Sequence, residues 1–287
     1  MAVREVTASG LEYLALVTKL LQRARLADPE AGLWEAADVQ WWWRRPARSD
    51  AVDQVFWVDA DGPVAAAVLT EWAGRWACHP LLVPRSPAVS PSTVWRRALE
   101  VIDELGLDEV EVLAREDDLE LLGLLAASDF VAGERSSIAW MEVTGRTKVA
   151  GPPAGLRMVD RDRHGAGPHP MRRRNGEAVE ARLRQCSLYD PALDVAVETV
   201  DGEVAAYALF WFDPVTGVGL VEPMRVEDEF QRRGVARALL TEGLDRLAAR
   251  GARRLKVGFA TAAARRLYLR AGFRVGAASR SHRWSRG

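Results

Sequence analysis

The stretch FQRRGVARALL, residues 230–240, sets Gly234 among Arg232, Arg233 and Arg237 where an apolar strand pattern gives way to a helical one. Glycine costs roughly 1 kcal/mol against alanine inside a helix, so its presence here needs another reason. Upstream, GVGLVEPMRV (217–226) alternates as a strand. Downstream, Ala236, Leu239, Leu240, Gly243, Leu244 and Leu247 follow helical spacing. Arg250 and Gly251 close that helix, a cation in the last turn and a glycine just beyond. A strand-to-helix turn of this kind presents unpaired amide N–H groups at the positive end of the helix dipole. Without a Cβ at Gly234, and with only a methyl at Ala236, a phosphate can approach the main chain closely. The arginines add attraction and possible phosphate contacts. The chemistry offered by this spacing is a cradle for a pyrophosphate.

A second element follows. In RRLYLRAGF (265–273), Leu267 and Tyr268 lie on a helix that Gly272 ends before a last strand begins at Phe273. The order of elements around these motifs occurs twice. DGPVAAAVL (61–69) returns as DGEVAAYAL (201–209), offset by 140, each an Asp-Gly hairpin turn leading into an apolar strand. At the same offset Arg97, Ala98 and Leu99 fall on Arg237, Ala238 and Leu239. Further on the offset becomes 143, and SDFVAG (128–133) falls on AGFRVG (271–276). The chain therefore reads as two copies of one domain, residues 1–145 and 155–287, joined by a Gly/Pro-containing linker over 146–154. Each copy runs short strand, helices, a hairpin of two strands, then strand, helix, strand, helix and a final strand. This is an α/β architecture with a mixed central sheet and helices on both faces.

Composition limits the function classes. The chain has 287 residues, 48% hydrophobic and 28% charged, with a net charge of -1. That balance gives no default attraction to nucleic acid or an anionic membrane. Residues 251–287 nevertheless carry ten Arg or Lys and no Asp or Glu. Two cysteines, Cys78 and Cys186, make neither a disulfide framework nor a metal knuckle, and the histidines lack zinc-site spacing. No metal is expected. With no signal-peptide pattern and no membrane-length apolar run, the expected compartment is the cytoplasm. Only Lys19, Lys148 and Lys256 interrupt an arginine-dominated basic set, a hint of a bacterial GC-rich genome.

The combination of QRRGVA and, one strand later, LYLRAGF resembles the GNAT superfamily of acyl-CoA-dependent N-acyltransferases. The motifs cover residues 222–273. The doubled layout is that of a tandem GNAT protein, similar to the mycothiol synthases. The resemblance implies acetyl transfer from acetyl-CoA to the primary amine of a small molecule by direct attack. It places the pyrophosphate on the backbone of Gln231, Arg232, Arg233, Gly234, Val235 and Ala236. The pantetheine arm would lie along Met224, Arg225 and Val226. Tyr268 becomes the acid that protonates the departing thiolate, and Glu222 a base acting through water. Thr261 stands where asparagine often precedes the last helix, near the cofactor arm, and Ala236 where glycine is commoner.

The repeat also ranks the copies. Pro91 falls opposite Gln231, Val94 opposite Gly234, Leu125 opposite Tyr268 and Leu82 opposite Glu222. Proline removes an amide donor and valine brings a branched Cβ. The first copy then reads as degenerate, structural or acceptor-shaping, and the second as the chemical one. The acceptor pocket is expected from residues 160–190 and the hairpin around Trp211–Asp213, with His164, His169, Tyr189 and Asp190 as candidates. MRRRNGE (171–177) reads as a solvated helix start or a basic rim. In QWWWRRP (40–46), Trp41, Trp42 and Trp43 cannot share one face, so at least one is expected to be exposed or buried at a contact. A domain contact is the first expectation, an aromatic ligand site or dimer surface the second. The expected state is monomer or homodimer. The rival reading is an acyl-CoA-binding sensor that no longer turns its ligand over.

Overall fold

The structure is a computed structural model that describes residues 3–86, 88–164 and 167–286. The two copies carry the same elements in the same order. The first has β1 (Arg4–Ala8), α1 (Gly10–Ala27), α2 (Ala36–Trp42), β2 (Gln54–Asp59), β3 (Gly62–Trp72), β4 (Arg75–Leu82), α3 (Pro91–Glu104), β5 (Glu109–Arg115), α4 (Leu119–Ala127) and β6 (Val131–Glu142). The second has β7 (Leu156–Asp160), α5 (Arg172–Asn175), α6 (Val179–Leu183), β8 (Asp194–Thr199), β9 (Val204–Asp213), β10 (Val218–Val226), α7 (Val235–Ala249), β11 (Arg254–Phe259), α8 (Ala262–Arg270) and β12 (Arg274–Ser285). The offset read from sequence persists in the bounds: β2 and β8 differ by 140, α4 and α8 by 143, β6 and β12 by 143. This is a mixed α/β fold repeated in tandem.

By packing, the chain forms two compact units. One comprises Met1–Val39, Pro46–Ser136 and Ala277–Gly287; the other comprises Gln40–Arg45 and Ser137–Gly276. Each unit takes its sixth strand from the other copy. In the first, β5 pairs antiparallel with β12, Arg115 opposite Ser279 through Glu109 opposite Ser285. In the second, β11 pairs antiparallel with β6, Phe259 opposite Ser137 through Arg254 opposite Glu142. Because β6 and β12 occupy the same place in the repeat, either can complete either sheet, and local pattern does not choose.

Inside the second unit the sheet order is β6-β11-β10-β9-β8-β7, antiparallel except for β10 and β11. That parallel pair requires a crossover, and α7 supplies it. The apolar face of α7 (Val235, Leu239, Leu240, Leu244 and Leu247) packs into a core with Phe210, Val221, Leu255 and Val257. Gly243 lets the helix approach β9 closely, since a Cβ there would lie 1.9 Å from the ring of Phe210. The segment between β6 and β7 runs beside the same helix: Arg146 pairs with Asp245 at 3.0 Å, and the amide of Ala150 donates to Thr241 Oγ1 at 2.9 Å. No described helix is long and apolar enough to cross a membrane.

Candidate active site

β10 and β11 pair from Val218 opposite Arg254 to Val221 opposite Val257. Beyond that point β10 changes register against β9, between Val221 and Met224, at the cis Glu222–Pro223 bond. Pro223 has no N–H to give a neighbouring strand. The bulge's carbonyl does not go unpaired, because the buried Trp211 donates Nε1–H to the Glu222 oxygen at 2.8 Å. β10 then continues along β9, Met224 opposite Ala208 and Val226 opposite Ala206, while β11 stays with β6. The cleft that results has a volume of about 1160 Å³.

The turn of 227–234 forms the cleft's floor at the start of α7. Asp228–Phe230 make one 3-10 turn, and Gln231 closes it with its own amide on the Asp228 carbonyl at 3.3 Å. The Gln231 side chain also stays within the turn, donating to Val226 O at 3.3 Å and Asp228 Oδ1 at 2.9 Å. Arg232 (φ 57°) and Gly234 (φ 87°) are both left-handed, a conformation that glycine adopts freely and arginine does not. Gly234 is the N-cap of α7 and offers no side chain; the first helical bond runs from Ala238 N to Gly234 O at 3.1 Å. The amides of Val235, Ala236 and Arg237 precede that bond, as at any helix start. A Cβ at Gly234 would meet nothing within 4 Å. Open space over uncapped amides suits a diphosphate.

Of the residues singled out in sequence, Glu222, Met224, Arg225, Val226, Gln231, Arg232, Gly234, Ala236, Thr261 and Tyr268 line this one cleft. Val235 and Arg233 do not. Val235 turns its side chain into the core, leaving only its amide at the turn. Arg233 lies over the Phe230 ring, 5.4 Å from its centroid. Thr261 caps α8, its Oγ1 accepting from Ala264 N at 3.1 Å, which explains a threonine at a position that asparagine can also fill.

Tyr268, on α8, is 5% exposed and sits edge-on to Phe273 and tilted against Phe259. Burial pushes its phenol pKa up, and the charge of Glu222 adds to the shift, so the two groups feel each other across the cleft. A third group, the charged Arg44, acts on Glu222 from outside the cleft lining. Arg44 is buried, its pKa pushed down to about 10 by desolvation and partly restored by Glu222. It stacks on Trp41 at 3.7 Å and donates Nε–H to Asn175 Oδ1 at 2.7 Å. Sequence reasoning passed over Arg44, although the oddness of QWWWRRP pointed at its neighbourhood.

The tryptophan run lies inside the second unit. Trp41 and Trp43 are buried and Trp42 is half-buried. Trp43 donates to Gln185 Oε1 at 2.8 Å and carries Arg182 over its ring at 3.5 Å.

The acceptor candidates lie elsewhere. His169 is buried, accepting from Met171 N at 3.1 Å and bonded through Nε2 to Asp194 Oδ2 at 2.7 Å; Tyr189 donates to the same oxygen at 2.8 Å. These are anchors of the 167–171 loop. Asp190 caps the 191–193 turn and pairs with Arg250. His164 lines a separate cavity of about 200 Å³ with Asp160 and Arg161. Trp211 is fully buried, and Asp213 is buried at the end of β9, where it accepts from Val215 N at 2.9 Å. From the basic rim, Arg174 pairs with Glu227 at 2.8 Å.

The acetyltransferase (GNAT) family model matches residues 163–273. Among solved structures, the chain is similar to a tandem GNAT protein from the clavulanic acid biosynthesis pathway, at 14% identity, covering 99% of both chains, with a TM-score of 0.71. It is similar to a GCN5-related N-acetyltransferase from Sphaerobacter thermophilus at 19% identity, covering 99% of this chain and 95% of that one, TM-score 0.62. A GNAT-family acetyltransferase from Colwellia psychrerythraea matches at 11% identity, 99% and 100% coverage, TM-score 0.58. No curated protein is a significant match in sequence. The chain has the tandem GNAT fold.

Proposed function

We propose that the protein is an acyl-CoA-dependent N-acyltransferase that moves an acetyl group from acetyl-CoA to the primary amine of a small molecule by direct attack. One observation carries the reading: a single cleft holds the uncapped amides around Gly234, the Met224–Val226 edge, Glu222 and Tyr268. The acyl-CoA supplies the thioester. Amides of 232–236 bind its diphosphate, and the main chain of Met224–Val226 aligns the arm and polarises the carbonyl. Glu222 draws the proton from the incoming amine through water. Tyr268, kept protonated by burial, returns a proton to the leaving sulfur. The thiolate forms in the same desolvated site, which raises its proton affinity as well.

The first copy supports the structure and shapes the acceptor side. Its α3 starts one turn earlier in the repeat than α7, and Ser90 caps it, Oγ accepting from Thr93 N at 3.1 Å. Pro91 has no amide to offer, Val94 is in the core, and Leu125 fills the place of Tyr268. In the second unit, the buried Arg44 feels the charge of Glu222, which brings a first-copy side chain near that end of the cleft.

Thermal-shift titration with acetyl-CoA and longer acyl-CoAs tests binding, since a ligand selective for the folded state raises Tm by mass action. An amine panel followed by free-thiol release tests turnover. A raised Tm without thiol release across the panel would favour the sensor reading, and no Tm change would refute both.

A further inference from the structure

Arg44 lies in the segment Gln40–Arg45, which the first copy sends into the second unit. The segment is pinned along its length. Gln40 donates Nε2–H to Ser187 Oγ at 2.8 Å and accepts from Leu188 N at 2.8 Å, and Trp43 donates to Gln185 Oε1 at 2.8 Å. The buried Arg44 guanidinium stacks on Trp41 at 3.7 Å, donates Nη1–H to Trp41 O at 2.9 Å and Nε–H to Asn175 Oδ1 at 2.7 Å. Two contact routes carry this segment to β10. Next to Leu188, the Tyr189 ring meets Trp211 edge-on at 6.5 Å, and Trp211 donates to Glu222 O. Next to Asn175, Arg174 pairs with Glu227 at 2.8 Å. The segment is thereby bracketed onto the 222–227 stretch.

The repeat provides an internal contrast. At the offset of 140 the counterpart of Arg44 is Arg184, exposed and paired with Glu180 at 2.9 Å, and the counterpart of Glu222 is Leu82. The arginine is buried in the copy whose partner position is a carboxylate and stays at the surface where that position is a leucine.

Burying a guanidinium is costly unless a carboxylate answers it, and the same proximity favours the charged form of that carboxylate. Glu222 is half-buried, which by itself opposes charge. The charges that reach Arg44 are those of Glu222, Arg45 and Tyr207, and Glu222 also reaches Tyr268; burial keeps both phenols neutral. Arg174, Arg225 and Glu227 act in turn on Tyr207. Resting on the reading of Glu222 as the base, we infer that Arg44 is a positioning residue, the counter-charge that keeps Glu222 a carboxylate in its half-buried site. The first copy then supplies the group that makes the second copy's base competent at neutral pH.

Two measurements on the full chain test this. The first needs no turnover. A carboxylate held ionised by the fold adds stability above its unfolded pKa of about 4.3 and loses it as pH falls through the lower folded value. The urea midpoint of E222Q should therefore lie below that of the wild type at pH 7, and the gap should close below about pH 4. In the R44Q background the same substitution should cost nothing. An E222Q midpoint at or above the wild type's at pH 7, or an equal loss in both backgrounds, would overturn the inference. If R44Q does not fold, the pH dependence of the E222Q gap decides alone. The second measurement is the acid limb of kcat/KM for thiol release, with the Tm rise on adding coenzyme A confirming that each variant keeps its cleft. R44Q should move that limb to higher pH by about one to three units, and R44K should restore it. Wild-type turnover by E222Q would remove the base reading and the inference with it. An inactive E222Q with an unmoved limb in R44Q would leave the base in place and overturn only the role of Arg44.

Discussion

Replacing Gly234 with alanine separates two reasons for a glycine at the mouth of α7. The first reason is conformational. At φ 87° an L-residue is strained by about 1–2 kcal/mol, and the added methyl meets no protein atom within 4 Å, so no clash adds to that cost. For a chain of this size the unliganded Tm should fall by about 2–8 °C, at roughly 2–4 °C per kcal/mol. The second reason is ligand approach. If a phosphate oxygen sits over the amides of this turn, the methyl occupies its space, and coenzyme A affinity should drop about tenfold or more beyond the stability loss. Gly202→Ala is the matched control, since φ is 86° there and its Cβ also meets nothing within 4 Å. It lies outside the cleft. Measured by differential scanning calorimetry and isothermal titration, both variants should lose similar stability, and only Gly234→Ala should lose affinity. If Gly234→Ala binds coenzyme A as the wild type does, the glycine serves the backbone alone and the cradle argument fails.

Tyr268→Phe should cut kcat by about a hundredfold or more with coenzyme A affinity within about twofold, because a positioned general acid contributes on that scale; unchanged turnover in the thiol-release assay would remove the acid assignment. Gly243→Ala should destabilise by about 1–3 kcal/mol or more through overpacking against Phe210, whose ring lies 1.9 Å from the new Cβ. A urea midpoint equal to that of the wild type would contradict the close helix–strand approach. Burial pushes the pKa of His79 down to about 4. Its contribution is present in full above the unfolded value near 6.5 and is lost as pH falls toward 4, about 3 kcal/mol in all. His79→Gln should therefore flatten the fall of the urea-unfolding free energy between pH 6.5 and pH 4, and parallel curves for the two proteins would count against it.

Much of this molecule was legible in its sequence because the fold is stated twice. Hairpin turns with Asp-Gly, the helix bounded by Gly234 and Gly251, and the LYLRAGF helix end all have local causes, and the element bounds kept the offsets of 140 and 143. The exchange of β6 and β12 between sheets was not legible, since two strands at equivalent repeat positions present the same pattern to either partner. The break in β10 was half legible. A proline inside a strand pattern signals an edge or bulge, but the indole of Trp211 that satisfies the bulge comes from another strand. Histidines chosen for the acceptor site by position show the opposite weakness. His169 has a chemically suggestive type, yet its imidazole is engaged on both nitrogens in holding a loop. Arg44 was missed for the converse reason: it is 178 residues from Glu222 in the chain, and only tertiary structure brings their charges together.

The most direct measurement is a crystal structure of the protein with coenzyme A bound. The diphosphate oxygens should lie about 3 Å from amide nitrogens of residues 232–236, with the sulfur between Glu222 and Tyr268. A diphosphate held anywhere else, with those amides left to solvent, would contradict the account.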